Sequence, residues 1–159
     1  MNSKNQNLFA KVREIVAFGI VCMLLFLIAG SFSSCDRKAI PFMEFSLFEI
    51  NCRWINTELN SVIIINCSEM LKKHIECAND NYPDIDFSKH TLLLASGSTN
   101  SGIHRVNVGR VQQLSTNTYR LNIQVALNES TMIDTWIVAL IVNKLSSQSE
   151  IELNVNIRN

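Results

Sequence analysis

From residue 45 onward the apolar positions repeat every two residues in most segments and every three to four in one. Phe48, Ile50, Cys52 and Trp54 alternate with Glu49, Asn51 and Arg53, so a half-buried strand is expected over residues 45–54. Residues 56–60 supply a turn, and the β-branched run Ser-Val-Ile-Ile-Ile at 61–65 predicts a buried strand. Asn66 and Glu69 then have capping-box spacing, and Met70, Leu71, His74, Ile75 and Ala78 recur at helical intervals. One amphipathic helix is therefore expected over 67–78, stopped by Asn79-Asp80-Asn81 and Pro83. Continuous apolar residues at 91–95 and a weaker run at 103–111 read as a hairpin. The glycine- and serine-rich segment 96–102 reads as its flexible loop.

Tyr119, Leu121, Ile123, Val125 and Leu127 alternate with polar residues, as do Ile151, Leu153, Val155 and Ile157. Both segments predict strands with one wet face. Between them residues 135–142, Thr-Trp-Ile-Val-Ala-Leu-Ile-Val, are apolar on both faces and belong at the centre of a sheet. Helices and strands do not alternate, which disfavours a doubly wound parallel sheet. The expected fold is α+β, a mainly antiparallel sheet or open barrel of about seven strands with one helix over a sheet face or barrel end.

The first 44 residues follow a different pattern. Lys4, Lys11 and Arg13 precede sixteen uncharged residues, 15–30, and small residues follow. That order, basic then apolar then small, is the order of an export signal. Sixteen helical residues fall short of the roughly twenty that cross a bilayer. Phe32-Ser33-Ser34-Cys35 resembles the lipobox of bacterial lipoproteins, with Phe32 where leucine is usual. The resemblance implies cleavage before Cys35, acylation of Cys35 (palmitate among the acyl groups) and a membrane anchor; several acyl chains make such a tether stable. The alternative is an uncleaved anchor with Cys35 an ordinary thiol. On the lipoprotein reading the chain divides into a signal peptide (1–34), a lipid-anchored tether containing Pro41 (35–44) and one globular domain (45–159), in the cell envelope and at the outer membrane.

Composition narrows the rest. The 125 residues from Cys35 on make one core of ordinary size and leave no room for a second. Of 14 basic and 14 acidic side chains, three basic and one acidic precede Cys35, leaving 11 against 13. A net charge near −2 argues against nucleic acid, which needs a clustered basic face. With Cys22 removed and Cys35 acylated, Cys52, Cys67 and Cys77 allow one disulfide and one odd thiol in an oxidising compartment. On one helix Cys67 and Cys77 would stand about 15 Å apart, too far for a bridge. Cys52 with Cys77 is the favoured pairing, against three reduced buried thiols.

No candidate chemistry rises above its plainer explanation. Cys67, His74 and Cys77 carry zinc-ligand atoms, but seven helical residues separate Cys67 from His74 by about 10 Å. His90, His104, Asp86 and the serines Ser96, Ser98 and Ser101 allow a hydrolase triad to be drawn, without the strained elbow that presents a nucleophile. Asn79, Asp80, Asn81, Asp84 and Asp86 supply calcium-type oxygens but lack the glycine and terminal glutamate of an EF-hand. The 97–102 loop lacks a phosphate-binding lysine. No enzyme, metal or cofactor is expected.

Residues 61–71, Ser-Val-Ile-Ile-Ile-Asn-Cys-Ser-Glu-Met-Leu, the segment from Ile85 to Ile103, and 136–145 with the alternating last strand resemble small lipoproteins of Bacteroidetes that have no assigned activity. The resemblance rests on structural motifs and carries over no role; the absence of a clustered acid, base or nucleophile fits a non-catalytic accessory or protein-interaction module with an envelope protein partner. Its contact would be a sheet edge or the loop residues Ser98, Thr99, Asn100 and Ser101. The alternative is a glycan- or small-ligand-binding lipoprotein that stacks its ligand on Trp54, Tyr82, Tyr119 or Trp136.

Overall fold

The alternating segments become two four-stranded sheets. The computed structural model describes residues 38–48, 50–78 and 81–158, all within one compact unit. The export segment 1–34, Cys35, Asp36, Asn79 and Asp80 lie outside the described residues. In chain order the elements are β1 (Ala39–Ile40), β2 (Phe42–Glu44), β3 (Cys52–Trp54), β4 (Ser61–Ile65), α1 (Ser68–His74), β5 (Ile75–Cys77) and β6 (His90–Thr99), followed by β7 (Ile103–Gln113), β8 (Thr118–Leu127), β9 (Asp134–Asn143) and β10 (Glu150–Arg158). Sheet A has the order β1-β7-β8-β10, sheet B the order β2-β9-β6-β4, and β3 and β5 form a separate ribbon. The architecture is α+β and mainly antiparallel; the described strands do not close into a barrel.

Side-chain parity stacks these parts in three layers. Leu93 and Ala95 of β6, with Trp136, Leu140 and Val142 of β9, pack on Val111, Tyr119, Leu121, Ile123 and Val125 of sheet A. Their neighbours one residue along, Leu92, Leu94 and Ala139, point the other way and pack with Ile65 against Leu71 of α1 and Ile75 of β5. Sheet B is therefore the middle layer. That is why its two central strands read as continuous apolar runs, while sheet A, with one face in water, alternates.

Several elements differ from expectation. The 35–44 tether contains β1 and β2, which pair with β7 and β9 respectively, so the chain joins both sheets within a few residues of Cys35. Two- and three-residue strands have too little periodicity to announce themselves. Of the segment 45–54 only Cys52–Trp54 is strand. The helix stops at His74, and Ile75–Cys77 pair with Cys52–Trp54 instead of continuing it. Asn66 does not cap the helix: its Oδ1 accepts a 2.6 Å hydrogen bond from the buried Thr91 hydroxyl, and Cys67 occupies the cap position without a side-chain bond. Ten strands replace the seven expected, four of them only two or three residues long.

The glycine-serine segment is also reassigned. Strand β6 runs on to Thr99, and Ser96, Gly97, Ser98 and Thr99 pair with Ile137, Trp136, Thr135 and Asp134. A Cβ on Gly97 would lie 2.5 Å from Trp136 Cζ2, so glycine is required there by the indole packed on it, not for flexibility. Only residues 100–102 turn.

Strands β8 and β10 are parallel neighbours although β9 intervenes in sequence. The connection crosses to sheet B as β9 and returns, doing with a strand what a helix does in a βαβ unit.

Candidate functional site

The residues singled out by chemistry are dispersed or already engaged. A disulfide joins Cys52 and Cys77, which face one another in the β3–β5 register with Cα atoms 4.0 Å apart. Beside it an exposed ion pair, Arg53–Glu76 at 2.5 Å, occupies the next register position. Cys67 is a free, half-buried thiol. The His74 ring meets the Asn56 carbonyl at 3.0 Å, and among the described residues no three His, Cys, Asp or Glu side chains cluster to hold a metal.

His90 opens β6 and His104 lies near the start of β7, so the length of β6, about 30 Å, separates them. Asp86 accepts hydrogen bonds from the Ser88 hydroxyl and the Lys89 ammonium. These partners, Ser88 first, hold its carboxyl well below the usual carboxylate range. The Ser96 hydroxyl donates to the Glu58 carbonyl at 2.8 Å. The hydrolase residues are thus not brought together.

The proposed loop is mostly strand: Ser98 and Thr99 are paired in β6, Thr99 is buried, and its hydroxyl donates to the Ser101 carbonyl at 2.6 Å. Asn100 is exposed and Ser101 half-buried. The turn is tied to the β8–β9 connection by the Gly102 amide donating to the Ser130 carbonyl and the Asn128 amide donating to the Gly102 carbonyl. A tip held this way offers little adaptable surface.

The aromatic residues are also committed. Trp136 and Tyr119 are buried in the inter-sheet core. Trp54 packs edge-on to Phe45 with ring centroids 6.1 Å apart, and Tyr82 lies under the Lys72 ammonium. Phe48 is the one exposed aromatic among the described residues.

What stays open is an edge. Strand β10 pairs with β8 through nine consecutive residues in unbroken register, and among the described residues nothing pairs with its other side. Such an edge presents a row of backbone donors and acceptors, which proteins ordinarily blunt with bulges, proline, lysine or cover. The remaining edges show these devices. Strand β1 covers the end of β7, whose pairing with β8 is broken twice, between Ile103 and Arg105 and between Val108 and Arg110. Strand β2 covers β9, and the Phe45 amide extends the cover to the Ala139 carbonyl. The covering segment turns from one sheet to the other at Pro41. Strand β4 is five residues long.

Strand β10, Glu-Ile-Glu-Leu-Asn-Val-Asn-Ile-Arg, has neither proline nor lysine. Its inward residues Ile151, Leu153 and Val155 remain partly exposed although their counterparts on β8 are buried, and Ile157 is 52% exposed. Apolar surface therefore accompanies the free backbone groups. The outward side chains hold the strand to its neighbours: Arg120 donates to Glu152 at 2.8 Å, and the Asn154 amide donates to Asn122 Oδ1 at 2.8 Å. The edge carries no bulge, proline or lysine; β4 of sheet B comes near it across the sandwich without pairing to it, and its main-chain groups are of the kind that take up an added strand. The alternation at 150–158 reveals a strand; that it has only one neighbour depends on the topology.

The chain matches no known family, no curated protein and no solved structure.

Proposed function

We propose that this chain is a lipoprotein of the cell envelope, anchored at the outer membrane through acylated Cys35, and that it acts without catalysis as an interaction module receiving an extended partner segment along β10. The observation that carries this reading is the nine-residue edge, open beside a partly exposed apolar seam, on a domain whose other edges are short, bulged or covered. Strand addition draws affinity from main-chain hydrogen bonds and selectivity from alternate side-chain positions, and β10 offers both.

The anchor reading rests on residues 15–35. Two residues, Asp36 and Arg37, lie between Cys35 and Lys38, three steps along the chain, and the Lys38 carbonyl accepts the Gln113 amide. At about 3.5 Å per residue, the lipid is then within roughly 11 Å of the folded domain. Binding takes place against a membrane surface, where a tethered module and its partner meet at high effective concentration.

The test is a cross-linked pulldown of the natively processed protein from its own envelope, alongside a variant carrying Asn154→Lys and Asn156→Lys, which places on β10 the charges that blunt sheet edges. A stoichiometric protein recovered with the native chain and lost with the folded variant is the expected result. Undiminished recovery with the variant, or glycan recovered without protein, overturns the reading.

A further inference from the structure

Resting on the reading of β10 as the interaction surface, we infer that its partner is a second copy of this chain, paired antiparallel to β10 about a two-fold axis at Asn154. The strand is complementary to its own reverse. With Asn154 opposite itself, Glu150 falls opposite Arg158, Ile151 opposite Ile157, Glu152 opposite Asn156 and Leu153 opposite Val155. Directly opposed residues in an antiparallel pair share a face, so each match is a contact. Both charged ends meet opposite charge. Both apolar pairs lie on the inward face, where Ile157 is exposed and Ile151 partly so. An Asn156 side-chain amide meets the Glu152 carboxylate already held by Arg120.

Alternative registers keep fewer of these matches. A shift by one residue carries the partner's apolar side chains to the other face of the seam; a shift by two one way leaves both Glu150 side chains unopposed within the strand and sets Arg158 against Glu152, and a shift by two the other way leaves both Arg158 side chains unopposed. The matched register joins two sheets A into one eight-stranded sheet with a β10–β10 seam at its centre and adds roughly eight main-chain hydrogen bonds. A two-fold interface of this kind closes on itself, so the open edge is consumed and no further chain is added.

In the dimer the two N-terminal strands lie at the outer edges of the joined sheet. Ala39 pairs with Gln112, which pairs with Arg120, which pairs with Glu152, so the N-terminal strand lies level with Glu152 across sheet A. In the dimer Glu152 of one copy stands opposite Asn156 of the other, so the two N-terminal strands are offset by about 13 Å along the strand direction.

The test is disulfide trapping in the full chain, produced and processed in its own membranes and carrying Cys67→Ser. Asn154→Cys puts two thiols on the axis, with Cβ atoms about 5 Å apart, and mild oxidation should yield a species of twice the mass. Asn156→Cys puts them about 13 Å apart and should yield none. Arg158→Glu should lower trapping at position 154 at least tenfold by setting glutamate opposite glutamate, and Glu150→Arg with Arg158→Glu should restore it. Trapping at 154 no greater than in the Cys67→Ser parent, equal trapping at 156, or no restoration by the charge exchange overturns the inference. If position 154 is instead trapped to a different protein, self-pairing fails while β10 stands as a docking edge. If neither position forms an adduct of any kind, both readings fail together.

Discussion

At Gly97 one hydrogen atom decides whether two strands can pair. The residue sits in a Gly-Ser-Thr-Asn context that reads as a loop, yet it is buried in β6 with the Trp136 indole where a side chain would be. Gly97→Ala should cost about 1–3 kcal/mol, as overpacking a filled core does, and lower Tm by roughly 4–10 °C. In the double variant with Trp136→Phe the loss should be smaller than the sum of the two single losses, which thermal unfolding of the four proteins measures. Residue roles of this sort are invisible to periodicity because they depend on a partner some forty positions away. Asn66 is similar: its spacing to Glu69 suggests a cap, but the Thr91 hydroxyl across the β4–β6 pair claims its oxygen. Cys35 carries a signal wholly local in sequence, and its test is equally direct. Metabolic labelling with an alkynyl fatty acid should mark the native protein, and Cys35→Ser should abolish the label and release the chain from the membrane fraction. Label persisting on Cys35→Ser contradicts the anchor reading.

Among the elements, legibility follows strand length and the locality of pairing. Strands β8, β9 and β10 have nine or ten residues each, enough for the pattern of wet and dry faces to show, and their expected segments lie within the observed bounds. Strands β1 and β2 are set by partners about seventy and a hundred residues distant and carry no local pattern of their own. Helical spacing in the sequence runs past the end of α1 because Ile75 continues it while also beginning β5. Its burial satisfies either element, and pairing with β3 settles the choice. That register, rather than distance along a helix, puts Cys52 opposite Cys77 and keeps Cys67 apart. The disulfide closes a segment of 25 residues that holds β4 and α1, and a bridge of this span contributes about 3 kcal/mol. Replacing both cysteines by serine should therefore loosen the layer above sheet B first. Hydrogen exchange should speed up in residues 52–54 and 68–77 while β6, β8 and β9 keep their protection. A uniform loss across all strands would show that the ribbon and the sandwich unfold as one unit.

At the scale of the whole molecule, the α+β class and the antiparallel character were legible because few segments have helical spacing and many alternate. The assignment of strands to sheets was not. Nothing in the alternation of 119–127 and 150–158 says that they run parallel side by side while the strand between them lies in the other sheet. Yet that crossover leaves β10 at the end of sheet A with one side unpaired among the described residues, whereas the early segment 39–44 closes the opposite side of both sheets. The asymmetry supports the functional reading: one flank is sealed next to the expected anchor, and one is open to a partner.

The most direct test places a photo-cross-linking amino acid at Asn156, exposed on the free edge of β10, and at Asn107, exposed on the same outer face but in β7, then irradiates the living envelope. A discrete protein adduct is expected from position 156, a second copy of this chain if the edge pairs with itself, and none from position 107. Absence of any adduct at 156, or equal labelling at both positions, would contradict it.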